Sequence, residues 1–386
     1  MTPLPQFYQF QTAPQIIAGT GSLGQLGERL QALAPVRSAL IVSQPSMFRQ
    51  GFIDQTQRQL EQRGISSMVI RDVMPEPTAQ HIRELCDRVR GSGIDLIVGL
   101  GGGSALDVAK LISVLLTNEQ DVEEMLGVDR VREPGIPTVL IPSTAGTGSE
   151  VTPNAIVTLP EQELKIGVVS RHLLPRLVVL DPLLTRELPQ NHTAATGMDA
   201  FTHAIESYIS TKANPISDMF ALESIRLISR NILQAYRDGS DMAARERMLL
   251  GSMYGGMALT GSGTAAVHAL AYPLGGKFNI PHGVANSMLL PHVMNFNKPV
   301  IGERLQDVAE AMGLEGELRN ADGVIRQIEQ WTRELAIPQD LRSFGISGED
   351  VPALAQAAMK VTRLMQNNPR TMTAEDAEAI YRRLLA

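Results

Sequence analysis

The feature that most restricts what this chain can fold into is a change of texture near its middle. From Ala39 to about Leu180, short β-branched runs alternate with segments of helical periodicity, and beyond Asp181-Pro182 such runs vanish. The runs at 39–43, 67–70, 94–98, 138–141 and 177–180 are apolar almost throughout, as parallel strands are when both faces of their sheet are covered. Residues 50–62, 78–90 and 104–117 repeat with the period of a helix, so the first half reads as a βαβ-built sheet with right-handed crossovers. The second half reads as all-helical, with helices expected over 194–210, 218–238, 242–260, 305–312, 323–335 and 374–385. A length of 386 residues suits two domains. The expected division is an α/β domain over 1–188 and an all-α domain over 189–386.

Composition narrows the ligands. Hydrophobic residues at 44% and charged residues at 19% describe a chain that buries a large core. A net charge of -7 argues against nucleic acid and anionic membrane, which leaves small molecules. The single cysteine, Cys86, makes no intrachain disulfide, so a cytoplasmic location is expected. No signal peptide is predicted over residues 1–15, and no apolar run is long enough to cross a bilayer as a helix.

Two glycine-rich loops carry the first chemical signal. Gly101, Gly102, Gly103 and Ser104 stand where the strand at 94–98 turns into a helix, a place where backbone N–H groups and the positive helix end receive a phosphate. A purely structural reading has Ser104 cap the helix, with Asp107 completing a capping box. The second loop, 143–150, crowds Thr144, Thr147 and Ser149 after the next strand. Two such loops at the carboxyl ends of parallel strands favour a dinucleotide over a solvent-exposed turn.

The second signal is a set of metal-ligand side chains. Asp199 and His203 are four residues apart in a helical stretch, so both side chains leave one face. His268 lies in an apolar small-residue helix, and His282 begins another at Pro281-His282-Gly283. One carboxylate and three imidazoles suit Fe²⁺ or Zn²⁺, with room for a substrate oxygen. Glu206 shares the face of Asp199 and His203 and either orients a ligand or forms an ordinary ion pair. His81 and His172 read as surface residues, His192 as a cap and His292 as a buried histidine.

These motifs, in order with Pro14-Gln-Ile-Ile-Ala-Gly19 before them and the run from Leu289 to Asn297 after them, resemble the iron-containing (group III) alcohol dehydrogenase family. The resemblance covers nearly the whole chain. It implies a Rossmann-like N-terminal domain, a helical C-terminal domain and an active site in the cleft between them. It also implies metal ligands Asp199, His203, His268 and His282, and a dinucleotide met by Gly101, Gly102, Gly103 and Ser104, with Asp107, Thr144, Thr147 and Ser149 close by. NAD or NADP and a divalent metal, Fe²⁺ before Zn²⁺, are the implied cofactors, and a homodimer or larger homo-oligomer the implied assembly.

Two positions depart from the family pattern. Tyr272 stands where many members carry a second histidine assigned to proton transfer. Its hydroxyl either relays the proton, as a poorer base with an ordinary pKa of about 10, or serves only packing. Gln44 follows the first long strand where many NAD-preferring members have an aspartate on the ribose, so no carboxylate repels the 2′-phosphate of NADP.

The expected reaction is hydride transfer between nicotinamide C4 and a small aliphatic alcohol or aldehyde. Relatives acting on a polyol, a hydroxy acid or maleylacetate are the nearest alternative, and a metal-dependent hydrolase is the alternative from another class. Loops at 154–165, 254–262 and 359–367 are expected to shape the substrate pocket.

Overall fold

The computed structural model describes residues 7–30, 35–162 and 164–385 and divides into two compact units. One comprises Gln11–Thr144 and Ser149–Glu187; the other takes Leu188–Ala386, the short stretch Ala145–Gly148 and the N-terminal residues up to Phe10.

The first unit is built on a six-stranded, wholly parallel sheet in the order β1-β9-β6-β4-β2-β3. Its strands are β1 (Ile16–Ala18), β2 (Ser38–Ser43), β3 (Ser66–Ile70), β4 (Leu96–Gly101), β6 (Thr138–Pro142) and β9 (Leu177–Leu180). Successive residues of one strand feed opposite cores. Ala39 and Ile41 join Val98, Ile141 and Val179 on one face, while Leu40 and Val42 join Ile97, Leu140 and Leu106 on the other. That two-sided burial is why the inner strands β2, β4, β6 and β9 read as unbroken apolar runs rather than alternating ones. Helices α1 (Phe52–Glu61), α2 (Ala79–Asp87) and α3 (Gly103–Leu115) connect them.

The chain runs outward from β2 to β3, then returns to β4 and proceeds to β6. The strand order therefore reverses between β2 and β4, and the loops leaving these two strands flank the topological switch point, where open α/β sheets bind ligands.

The first unit also holds a small sheet, β5 (Gly127–Val128), β7 (Asn154–Leu159) and β8 (Leu164–Val169), in which β7 and β8 pair antiparallel. Residues 154–165, expected as a loop, are thus mostly a hairpin; β7 alternates half-buried and buried positions because only one of its faces is packed.

The second unit is helical: α4 (Gln190–Ile209), α5 (Pro215–Arg237), α6 (Met242–Ser262), α7 (Ala266–Phe278), α8 (His282–Met312), α9 (Ala321–Glu334), α10 (Val351–Met359) and α11 (Ala374–Arg383). The expected loop at 254–262 is the end of α6, and the expected helix at 305–312 is the last part of α8, which continues through Pro291 and Pro299. The stretch 359–367 carries a short helical turn, Thr362–Met365. No helix among the described residues is long and apolar enough to cross a membrane.

Candidate active site

The glycine loop expected to cradle a phosphate lies at the switch point of the sheet unit. A Cβ on Gly101 would come within 2.8 Å of the Ala105 Cβ and 3.2 Å of the Gln44 Oε1, so only glycine lets β4 turn this tightly into α3. Helix α3 begins at Gly103, and its N-cap, Gly102, gives no side-chain cap. Ser104 is therefore not the cap that its spacing suggested; it sits inside the first turn, where its Oγ accepts from the Glu76 N–H at 3.2 Å. Asp107 completes no capping box either. The first N–H groups of α3 thus lack a side-chain cap, beside a surface kept bare by glycine, which fits a dinucleotide pyrophosphate.

Gln44 belongs to this cradle. Its Oε1 accepts from the Gly102 N–H at 3.3 Å, and its Nε2 donates to Ser46 at 2.9 Å. Thr144 closes the other side, its Cγ2 3.4 Å from where a Gly102 Cβ would lie. Thr147 falls in the Ala145–Gly148 stretch of the helical unit.

Asp107 and Ser149 face inward. Asp107 Oδ1 accepts from Ser149 Oγ at 2.5 Å and its Oδ2 from the Ile156 N–H at 3.0 Å. Lys110, fully buried, donates to Ser149 Oγ at 2.8 Å and to the Asn154 carbonyl at 2.8 Å. These bonds tie α3 to the loop after β6. Burial lowers the Lys110 ammonium to about 8 and raises the neighbouring Glu150 carboxyl to about 7. Glu150 Oε1 is buried without a hydrogen-bond partner.

The metal-ligand set lies in the helical unit. Along α4, Asp199, His203 and Glu206 recur at spacings of four and three and so share one face. His268 comes from the first turn of α7 and His282 is the first residue of α8. A Cβ on Gly283 would lie 2.2 Å from the Ala195 carbonyl oxygen, so this glycine lets the start of α8 lie against α4.

Ligand atoms of Asp199, His268 and His282 all lie within 4.8 Å of one another. His203 stands just outside that group: its ring stacks on His268 with centroids 4.7 Å apart, and its Nδ1 is 3.3 Å from the Gly146 carbonyl oxygen. Sequence reasoning missed Asn286, one turn into α8 from His282. Its Nδ2 donates to Asp199 Oδ1 at 2.7 Å and lies 3.2 Å from His268 Nε2 and 3.1 Å from His282 Nε2. The four-residue spacing from His282 was the one signal that could have revealed it.

The donor chemistry fits a divalent cation. Burial opposes ionisation of Asp199, yet the imidazoles of His203, His282 and His268 and the Asn286 amide outweigh it and hold the carboxyl below its usual range. Burial pushes the His203 imidazole down, favouring the neutral form that ligates metal. Asn286 Oδ1 is buried without a hydrogen-bond partner beside these atoms. An acceptor-rich, desolvated cluster of this kind is completed by a cation. Tyr272 lies next to it, its ring centroid 6.0 Å from that of His282, and packs with Ala269 and Leu364.

Residues 13–182 match the family model for iron-containing alcohol dehydrogenase, and residues 193–385 match that for the C-terminal part of the Fe-containing alcohol dehydrogenase family. The chain belongs to the iron-containing alcohol dehydrogenase family. Long-chain-alcohol dehydrogenase 1 of Geobacillus thermodenitrificans is 38% identical over 370 residues, covering 94% of this chain and 93% of that protein. The crystal structure of a 1,3-propanediol oxidoreductase superposes with a TM-score of 0.93 at 37% identity, covering 98% of this chain and all of the other. A sulfoacetaldehyde reductase from Bifidobacterium kashiwanohense, solved in complex with NAD⁺, superposes with a TM-score of 0.89 at 25% identity, over 99% of this chain and 100% of that one. Like other members of this iron-containing family, the chain is an oxidoreductase acting on CH–OH groups and the corresponding carbonyls.

Proposed function

We propose that this chain interconverts a short aliphatic alcohol or diol and its aldehyde, using a nicotinamide dinucleotide and Fe²⁺ held by Asp199, His203, His268 and His282. The observation that carries the reading is the convergence of Asp199, His268 and His282, from three helices, with ligand atoms within 4.8 Å of one another. When bound, the metal polarises the substrate oxygen as a Lewis acid and the nicotinamide accepts or gives the hydride.

The chain's own residues do the rest. Gly101, Gly102, Gly103 and Ser104 receive the pyrophosphate on the uncapped start of α3, with Thr144 beside it. Asp107, Ser149 and Lys110 keep the loop after β6 in register with α3. Gln44 offers a neutral amide where a carboxylate would repel a 2′-phosphate, so NADP is accepted alongside NAD. Tyr272, beside His282, is the group placed to move the hydroxyl proton. The protein works as a cytoplasmic homodimer or larger homo-oligomer.

Metal analysis of the purified protein, then initial rates with NADH and NADPH across short aldehydes, tests the reading. Iron near one equivalent and aldehyde-dependent cofactor oxidation are expected, zinc being the competing occupant. His268→Ala and His282→Ala should each lose metal and turnover together. A metal-free His282→Ala protein with full turnover would end the proposal.

A further inference from the structure

We propose that Glu206 is a positioning residue for the metal site: one carboxylate fixes which nitrogen of His268 faces the metal and holds the start of the helix that carries it. The inference rests on the metal reading above and extends it to a side chain outside the ligand set.

Helix α7 starts without a local cap. Its N-cap, Ala265, has no side-chain oxygen, so the free N–H groups of the first turn need a partner from elsewhere. Glu206 supplies it from α4, where its Oε1 accepts from the Val267 N–H at 2.6 Å. The carboxylate also meets the positive end of the α7 dipole, which suits a negative charge. Glu206 is fully buried, and among the described residues no lysine or arginine forms an ion pair with it.

The second oxygen does different work. Glu206 Oε2 lies 2.5 Å from His268 Nδ1. A carboxylate can only accept, so Nδ1 is the protonated nitrogen and Nε2 presents its lone pair. Nε2 is the nitrogen that faces the ligand cluster, 3.9 Å from Asp199 Oδ1. The opposite tautomer would bury an N–H pointing at the place a cation must occupy. Asp199 and Glu206 lie on one helix, so the same stretch of backbone carries a ligand and aims another.

Glu206→Gln separates these roles at nearly constant volume. Its amide replaces one of the two acceptor oxygens with an NH₂ donor, so it cannot accept from Val267 and His268 through separate oxygens. With its oxygen kept on the Val267 N–H, its NH₂ faces Nδ1 and drives the ring proton to Nε2. The measurements use the full chain. Chelator competition with Fe²⁺ or Co²⁺ reads metal affinity, which should fall roughly ten- to hundredfold. Long-range ¹H–¹⁵N correlation of histidine-labelled, metal-stripped protein reads the tautomer, with the His268 signal identified by its loss in His268→Gln. Wild type should show the proton on Nδ1, and Glu206→Gln should show it on Nε2.

Wild-type His268 protonated at Nε2 overturns the inference even if no variant folds. A Glu206→Gln protein with wild-type metal affinity and an unchanged tautomer overturns it as well. Wild-type protein that takes up no metal while His268 is protonated on Nδ1 refutes the metal reading and leaves the tautomer assignment standing.

Discussion

Replacing Glu150 by glutamine should change the pH dependence of stability in a defined direction. Burial raises the Glu150 carboxyl from 4.5 to about 7, with Lys110 opposing the rise. Between those values the folded protein holds a proton that the unfolded chain has released, so stability falls as pH increases through this window. Integrating from about pH 5 to about pH 7.5, the loss attributable to Glu150 is about 2 kcal/mol. Glutamine has no proton to lose, so the variant lacks this slope. Any fixed effect of the new NH₂, such as an unmet hydrogen bond near the orphaned Oε1, shifts its stability equally at both pH values. The assay is thermal melting of both proteins across that range. The difference in Tm between variant and wild type should grow by about 2–3 °C toward higher pH. A constant offset would show that Glu150 does not titrate in this burial environment, and the argument from desolvation would fail.

Two further outcomes follow from residues at the cradle and beside the metal set. Gln44→Asp places a carboxylate next to the Gly102 N–H, and the ratio of kcat/KM for NADPH to that for NADH should fall roughly tenfold; an unchanged ratio removes Gln44 from coenzyme choice. Tyr272→Phe should keep its metal and its KM while kcat falls by about a hundredfold, measured by steady-state kinetics on protein of known metal content. Full kcat in that variant would leave Tyr272 a packing residue beside Leu364.

The parallel sheet was legible because burial on both faces leaves its strands apolar without interruption, as at 39–43 and 177–180. The hairpin at 154–169 was not, because β7 alternates with a half-buried face and its polar positions resemble a loop. Pro291 and Pro299 hid the length of α8, since proline normally ends a helix, whereas α8 runs on through both. At the site, residue type and family order marked Asp199, His268 and His282. Geometry alone showed that Ser104 is no cap, that Asp107 faces inward and that Asn286 reaches Asp199, because each depends on partners far away in the chain.

That distance has a mechanical consequence. Asp199 Oδ1 and His282 Nε2 stand 3.8 Å apart although they lie far from each other along the chain. A cation held there would act as a cross-link closing a long loop, and cross-links of that span remove the most freedom from an unfolded chain. The ion that activates the substrate would then also be a staple for the helices around it, so that losing it loosens the same scaffold that must recapture it.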